Sequence, residues 1–226
     1  METKDVNGFM HVKYQGVSYS ENEMRARAKG YYAFMDKRRT VRDITDTPVP
    51  KDVIESIIMT ASSAPSGAHK QPWTFCAISN PELKKSIQEA AEKEEYESYH
   101  GRMSERWLKD LAPIGTDWHK PFLETAPWLI VVFKKVYDEQ EGEKINNYYV
   151  NESVGIACGM LITAIHNAGL VTLTHTPSPM NFLTAILERP SNERPFLLLP
   201  IGYPEKETFV PDLQRKSLSE VSEFYT

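Results

Sequence analysis

A nearly all-apolar helical pattern near the middle of the chain most constrains the fold. Residues 151–167 (NESVGIACGMLITAIHN) are apolar around most of the helical circumference, which is typical of a helix buried on most sides. Gly155 and Gly159 would let another backbone approach this helix closely. The apolar stretch from Val154 to Ile165 is too short to span a bilayer. We therefore expect protein, not lipid, around it.

Short apolar runs between helical patterns predict a sheet. Residues 128–134 (WLIVVFK) form the clearest strand pattern, because they are few, apolar and rich in branched and aromatic side chains. Other strands are predicted at residues 73–78, 170–174 and 196–201. Helices are predicted at residues 23–37, from 51 to a loop at 65–67, within 82–108, and at 178–187. Because helices and strands alternate, we expect a sheet covered by helices on both faces.

Three polar stretches lie outside this pattern. Residues 1–22 lack periodicity and are expected to form an arm that wraps the surface or a partner subunit. Residues 137–147 are predicted to be a polar loop, and residues 205–226 a second arm that docks elsewhere. The apolar helix and the two arms favour an obligate homodimer. The alternative is a monomer in which the apolar helix is simply central.

Bulk properties restrict the function classes. A length of 226 residues suits one large domain or two small ones, and we expect a single domain, 1–226. The net charge of −5 gives no electrostatic case for nucleic acid or an anionic membrane. No signal peptide or membrane anchor is visible, so we expect a cytoplasmic protein. Cys76 and Cys158 lie in apolar runs, so we expect buried free thiols. Free thiols are consistent with a reducing compartment. No histidine pair has metal-ligand spacing, so no metal site is predicted.

A basic cluster is suited to a single phosphate group. Arg38, Arg39 and Arg42 lie within five residues, and each guanidinium can pair two phosphate oxygens. In an extended segment Arg38 and Arg42 would share a face, with the Thr40 hydroxyl between them. Arg215 is a second candidate phosphate ligand. The alternative is a solvated basic patch. Neither GxGxxG nor GxxxxGK[ST] occurs, which argues against a Rossmann site or P-loop and leaves a mononucleotide such as FMN.

Two further stretches are suited to a polar-edged ring. Thr174 and Thr176 end a predicted strand, and their hydroxyls could bond a heterocycle or only water. The turn at residues 65–68 offers backbone N–H groups where Gly67 relieves crowding.

Charged residues in the segment that follows are suited to an amino acid. Glu95 and Tyr99, four residues apart on a helix, could clamp its charged ends together with Lys120. Glu92, Glu94 and Glu97 compete with Glu95, so the residues alone do not single it out. His69, His119 and His175 could each donate a proton, although structural or lining roles are the simpler interpretation.

These motifs together resemble the nitroreductase-like flavoprotein superfamily and, more narrowly, the iodotyrosine deiodinases. The resemblance covers about residues 30–220. It is carried by RRTVRD (38–43), APSGAHKQPW (64–73), EEYESYHGRM (94–103), DWHKPFLETAP (117–127), NESVGIACGMLITAIHNAGL (151–170), THTPSPMNFL (174–183) and LLPIGYPEKETFVPDLQRK (198–216).

The resemblance implies an α+β fold, a three-layer α/β/α sandwich with a mixed sheet and helices on both faces. It also implies a domain-swapped homodimer with FMN at each subunit interface, and arms 1–22 and 205–226 exchanged with the partner. It implies that the flavin is held by Arg38, Arg39, Thr40, Val41, Arg42, Pro65, Ser66, Thr174, His175, Thr176 and Arg215. The substrate would be held by Ala68 at its phenolate and by Glu95, Tyr99 and Lys120 at its zwitterion, the last three on a mobile lid.

The resemblance also implies a reaction: reductive removal of halide from 3-iodotyrosine and 3,5-diiodotyrosine, and from bromo- and chlorotyrosine, with electrons from an unidentified NAD(P)H-dependent reductase. Thr176 would be the catalytic residue, because its hydroxyl bonds flavin N5 and favours single-electron over hydride transfer. Two alternatives are an NAD(P)H-dependent nitroreductase or flavin reductase of the same fold, and a flavin- or tyrosine-binding protein without turnover.

Overall fold

The structure, a computed structural model, describes residues 2–226. The chain divides into two compact units, the first ending at Arg38 and the second running from Arg39 to Thr226. Each unit is described by itself.

The first unit is a hairpin followed by a helix. Strands β1 (Thr3–Val6) and β2 (Phe9–Val12) pair antiparallel, and α1 spans Glu21–Asp36. The hairpin lies in residues 1–22, whose sequence lacks periodicity and predicted only an arm. Its turn, Asn7-Gly8, has φ angles of 55° and 84°, which is the conformation that Asn-Gly favours between paired strands. No described residue of this unit is buried.

The second unit contains the remaining elements. In chain order they are α2 (Lys51–Ser62), β3 (Trp73–Ile78), α3 (Pro81–Glu97), α4 (Glu105–Leu111), α5 (Phe122–Thr125), β4 (Trp128–Lys135), β5 (Tyr137–Gln140), β6 (Glu143–Asn146), α6 (Val150–Asn167), β7 (Val171–Thr172), α7 (Asn181–Ile186), β8 (Glu193–Gly202) and α8 (Leu218–Val221). Single helical turns lie at Gly67–His69, Ser98–Arg102 and Ala112–Ile114.

The central sheet has the strand order β3-β4-β8-β7, and all of these strands pair antiparallel. A parallel bridge between Thr40 and Thr172 makes the sheet mixed at its β7 edge. Val131, in the middle of β4, pairs with Cys76 on one side and Leu198 on the other. The second small hairpin, β5–β6, lies outside this sheet.

Both faces of the sheet are covered by helices, as the sequence predicted. Ile130 and Val132 point from β4 into a cluster with residues of α2 and α6. Leu129, Val131 and Phe133 alternate with them and enter a second cluster with residues of α3, α5 and α7. The period of two along β4 thus divides the core into two layers.

Several predicted elements differ from the observed ones. The predicted polar loop at 137–147 is wrong, because it forms β5 and β6 around the turn at Glu141 and Gly142, whose φ angles are 52° and 85°. The helix predicted at 178–187 is shorter, and the strand predicted at 196–201 is longer. The predicted strand 170–174 is regular only at β7, followed by a bridge between His175 and Leu198.

Helix α6 is buried along one face only within a single chain. Its buried residues include Val154, Leu161 and Ile165. Gly155, Gly159 and Ile156, which is 47% exposed, lie on the open side. The expected burial on most sides is therefore not reached by one chain. No helix among the described residues is long and apolar enough to cross a lipid bilayer.

Candidate functional site

A cavity of about 240 Å³ lies where the β7 end of the sheet meets the segment that follows α3. Its polar lining brings together predicted site residues from four separated parts of the sequence: Arg42, Glu95, Tyr99, Lys120, Thr174, His175 and Thr176. Met103, Trp107, Leu111 and Phe122 give it an apolar side. We call residues 95–120 the lid segment.

The residues after β7 continue the sheet and form one wall of the cavity. The His175 N–H donates to the Leu198 carbonyl at 2.9 Å, and the Leu198 N–H donates back to the His175 carbonyl at 3.1 Å. This extended pairing alternates the side chains, so His175 is buried while Thr174 and Thr176 are exposed. Two hydroxyls therefore stand two residues apart on the open side of the sheet.

His175 is the most deeply buried polar group of this wall, with 7% of the residue exposed. Its ring meets the Phe122 ring edge-on at a centroid distance of 5.9 Å. Its Nε2 has no hydrogen-bond partner among the residues that the structure describes. Burial, and then the positive charges of Lys120 and Arg42, lowers the pKa of His175 to about 3. The imidazole is therefore neutral at ordinary pH.

The opposite wall carries an acid, a phenol and an amine. Glu95 and Lys120 are both buried, and the Lys120 Nζ lies 3.7 Å from the Glu95 Oε2. The Lys120 ammonium also donates to the Thr116 hydroxyl at 3.3 Å and to the Asp117 carbonyl. The Tyr99 hydroxyl donates to the Thr116 carbonyl at 3.3 Å.

The Glu95–Lys120 separation leaves both groups able to bind a ligand. A charge-assisted N–H···O bond is about 2.7–2.9 Å long, so the two charges are close but not fully engaged. Burial raises the pKa of Glu95, and the adjacent Lys120 opposes that shift. Burial lowers the pKa of Lys120, against the attraction of Glu95. A zwitterion placed here would supply the opposite charge that each group lacks.

The basic cluster is only partly gathered at the cavity. The Val41 N–H donates to the Thr172 carbonyl at 3.4 Å and its side chain is buried, while Thr40 is exposed. The half-buried Arg42 guanidinium reaches the cavity and donates to the Ile114 carbonyl at 3.3 Å. Burial lowers its pKa.

The other three arginines lie elsewhere. Arg39 donates to the Pro211 carbonyl, and Arg215 is exposed in the C-terminal arm. Arg38 is the last residue of the first unit, where its backbone N–H donates to the Met35 carbonyl at 3.1 Å.

The turn at residues 65–69 does not line this cavity within the described chain. The Ser66 hydroxyl accepts from the Gln71 N–H at 2.9 Å, and the Gly67 N–H donates to the Ser153 hydroxyl at 3.3 Å. A Cβ on Gly67 would lie 3.0 Å from the Tyr148 carbonyl oxygen, so glycine suits this close approach. Pro65 and Ala68 are exposed, and Ala68 has a φ of 49°.

The sequence interpretation missed several residues of the site. Met103, Trp107 and Leu111 recur every fourth residue and line the cavity together, a helical spacing that the charged surroundings concealed. Glu92 was considered only as a competitor of Glu95. Its carboxylate instead accepts the backbone N–H of Lys120 at 2.7 Å.

Comparison with known proteins gives consistent relatives. The Nitroreductase family model matches residues 35–203. An iodotyrosine deiodinase of Haliscomenobacter hydrossis is 62% identical over 95% of this chain and 97% of its own length. An iodotyrosine deiodinase of Nematostella vectensis is 50% identical over 89% of this chain and 77% of its own.

A solved structure agrees with these relatives. The crystal structure of oxidised iodotyrosine deiodinase bound to FMN and 3-iodo-L-tyrosine superposes with a TM-score of 0.73 and 28% identity. The match covers 85% of this chain and 99% of that one. The chain therefore belongs to the nitroreductase family and, within it, to the iodotyrosine deiodinases.

Proposed function

We propose that this protein is an FMN-dependent oxidoreductase that removes halide reductively from halotyrosines and leaves tyrosine. The observation that carries the proposal is the buried Glu95–Lys120 pair with Tyr99, which faces Thr174 and Thr176 across one cavity. The relative whose structure contains FMN and 3-iodo-L-tyrosine supports the same ligands here. Iodotyrosines are the first substrates to test, followed by bromo- and chlorotyrosine.

The charge pair separates this function from a nitroreductase or flavin reductase of the same fold. A nitroarene has no ammonium or carboxylate, so burying Glu95 and Lys120 for its sake would only cost free energy. An amino acid offsets that cost, because its ammonium pairs with Glu95 and its carboxylate pairs with Lys120. Tyr99 adds a hydroxyl beside them. The cavity thus suits a charged aromatic amino acid better than a neutral aromatic compound.

The donors of the cavity fit one end of a flavin. Arg42 presents a half-buried cation, and Thr174 and Thr176 present exposed hydroxyls. His175 presents a buried ring nitrogen that has no partner among the described residues. When bound, FMN supplies two electrons for cleavage of the carbon–halogen bond. The balance is one aryl halide, two electrons and one proton, which give one arene and one halide.

The chain's own residues bind the substrate, orient it and exclude water. Glu95, Tyr99 and Lys120 fix the amino acid backbone, while Met103, Trp107 and Leu111 cover the ring. We assign Thr176 the role of hydrogen-bond donor to flavin N5, which makes it the catalytic residue. The backbone N–H of Ala68 would donate a hydrogen bond to the substrate phenolate. That bond would stabilise the negative charge on the phenolate oxygen.

We infer a homodimer in which a second copy completes each site. Pro65, Ser66 and Ala68 lie on a turn outside the cavity of their own chain, so a partner must bring their equivalents to it. The open face of α6 and exposed apolar side chains in both arms offer the surface for that contact. Examples are Phe9 (73% exposed) and Phe224 (74% exposed). We assign arms 1–22 and 205–226 to this exchange, within a single domain.

The remaining phosphate ligands and partners follow from this arrangement. Arg38, Arg39, Thr40, Val41 and Arg215 would complete the phosphate end of the FMN site. An NAD(P)H-dependent reductase, still to be identified, would supply the electrons. The free thiols of Cys76 and Cys158 suit the reducing cytoplasm that we propose as its location.

The proposed function is tested by substrate preference. When FMN-loaded protein is reduced with one equivalent of dithionite, so that no free reductant remains, we expect iodide release from 3-iodotyrosine to be clearly faster than reduction of nitrobenzene. Thr176→Ala should lower the rate of iodide release roughly tenfold, in the range expected for one lost hydrogen bond. Thr176→Ser keeps the hydroxyl and should retain most of the rate. Fast nitrobenzene reduction without iodide release would contradict the proposal and favour the nitroreductase alternative.

A further inference from the structure

Lys120 is held by α3 at both its side chain and its backbone. The side chain lies against Glu95, 3.7 Å from its carboxylate. The backbone N–H donates to the Glu92 Oε1 at 2.7 Å. Glu92 and Glu95 are three residues apart, so they occupy neighbouring positions on one face of α3. One helix therefore sets the position of the Lys120 backbone and the direction of its ammonium.

The Glu92 carboxylate is itself held in place. It is half-buried, and the Gln88 Nε2, one helical turn earlier, donates to the same Oε1 at 3.1 Å. An oxygen that accepts two hydrogen bonds in a half-buried setting has little freedom to swing away. Glu89, on the same helix, is exposed. The Glu92 carboxylate is thus fixed by two hydrogen bonds, unlike the exposed Glu89.

The rest of this junction is fixed by the same helix. The Lys84 Nζ on α3 donates to the Glu124 carbonyl at 2.8 Å and to the Ala126 carbonyl at 2.7 Å. Those carbonyls end the turn α5, which begins just after Lys120. Residues 120–126 are therefore fastened to α3 at their start by Glu92 and at their end by Lys84. Lys120 is the point where the lid segment joins this fastened turn.

We propose that Glu92 is a positioning residue that sets substrate specificity by fixing Lys120. It does not touch the ligand. Its carboxylate satisfies the Lys120 N–H and thereby holds the ammonium where the carboxylate of an amino acid binds. This inference rests on the proposed function and adds to it a residue that acts only on recognition of the substrate backbone.

The test compares two ligands that share an iodophenol ring and differ in the amino acid group. The affinities of oxidised, FMN-loaded protein for 3-iodotyrosine and 2-iodophenol are measured by quenching of flavin fluorescence. We expect Glu92→Ala to weaken 3-iodotyrosine binding about tenfold, as for one lost buried hydrogen bond. Binding of 2-iodophenol should change less than about twofold, since that ligand does not use Lys120.

Two matched variants serve as controls. One tests whether the hydrogen-bond acceptor or the negative charge of Glu92 matters, and the other tests whether loss of any acid on α3 has the same effect. Glu92→Gln keeps a carbonyl acceptor and should restore most of the affinity for 3-iodotyrosine. Glu89→Ala removes a nearby exposed acid and should leave both affinities unchanged. Amide hydrogen exchange gives a second readout, because the Lys120 N–H should exchange faster in Glu92→Ala than in the wild type. If Glu92→Ala does not fold, Gln88→Ala removes the second donor and should produce a smaller loss for 3-iodotyrosine alone.

The outcomes are distinguishable. Equal affinity of Glu92→Ala and wild type for 3-iodotyrosine overturns the positioning role. An equal loss for both ligands also overturns it, because it points to general damage to the cavity. If the wild type itself binds no 3-iodotyrosine, the proposed function fails and the inference fails with it.

Discussion

The two walls of the cavity are built on different physical principles. The sheet wall is backed by β4 and β8, whose central residues, such as Val131 and Leu198, are completely buried. The lid segment faces it with side chains held by polar contacts: Tyr99 donates to the Thr116 carbonyl, and Lys120 donates to Thr116 and Asp117 beside Glu95. Several of its apolar residues stay partly open, and Trp107 is 51% exposed.

The difference separates stability from recognition. Apolar burial holds the sheet wall whether or not a ligand is present, because each buried side chain contributes about 1.5–3 kcal/mol on its own. The lid segment contains buried charges that a ligand can satisfy better than the protein does. We therefore expect changes in the sheet to alter folding, and changes in the lid segment to alter binding.

The largest expected effect is on the free energy of unfolding. Ile130→Ala empties a completely buried position between the sheet and α6, and should reduce that free energy by about 2–5 kcal/mol. Met103→Ala, in the half-open lid segment, should reduce it by less than about 1 kcal/mol. Urea unfolding measures both. Equal losses would remove the distinction between the two walls.

The next effect is on binding. Lys120→Met removes the ammonium but keeps the apolar stem, so 3-iodotyrosine should bind at least about 2 kcal/mol more weakly. The free energy of unfolding should change less than in Ile130→Ala, because the Lys120 stem stays in place and Glu95 lines the cavity, not the core. Titration of flavin fluorescence gives the dissociation constant, and Lys109→Met on the exposed side of α4 is the control. If Lys120→Met leaves the dissociation constant of 3-iodotyrosine unchanged, the lid segment does not serve recognition as we propose.

The smallest effect, when it is measured between pH 7 and pH 6, is a pH dependence of the sheet wall. His175 is neutral when folded, with a pKa of about 3, whereas its ordinary value is 6.5. As the pH falls below 6.5, the unfolded chain gains a proton that the folded chain does not. Stability should therefore fall, by up to about 1.4 kcal/mol per pH unit between 6.5 and 3.

Urea unfolding at pH 7, 6 and 5 tests this dependence. His175→Gln should flatten the acid side of the curve, whereas the same change at the exposed His119 should not. Parallel curves for wild type and His175→Gln would show that the buried imidazole does not titrate in this way.

The sequence predicted the sheet wall more completely than the lid segment. Residues 128–134 read as a strand because burial on both faces requires a short, branched, apolar run, and the observed β4 extends only to Lys135. The hairpin turns at Asn7-Gly8 and Glu141-Gly142 were missed because the strands beside them are only four residues long and show no apolar alternation.

The lid segment illustrates why sites are harder to predict. Four glutamates occur between residues 92 and 97. Glu94 and Glu97 pair with Arg102, whereas the other two meet the chain where it returns at Lys120. Glu95 then meets the ammonium and Glu92 the backbone N–H. The position of Lys120 beside α3 depends on contacts between residues that are far apart in the sequence. The local spacing of apolar residues does not predict such contacts. Only the family resemblance selected Glu95 beforehand, and it did not indicate Glu92.

The central claim is that this cavity turns over a halotyrosine. The most direct measurement reduces the FMN-loaded protein anaerobically with one equivalent of dithionite and then adds 3-iodotyrosine. We predict that the flavin reoxidises and that one iodide and one tyrosine form per flavin. A flavin that stays reduced, with no iodide released, while nitrobenzene reoxidises it at once, would contradict the account.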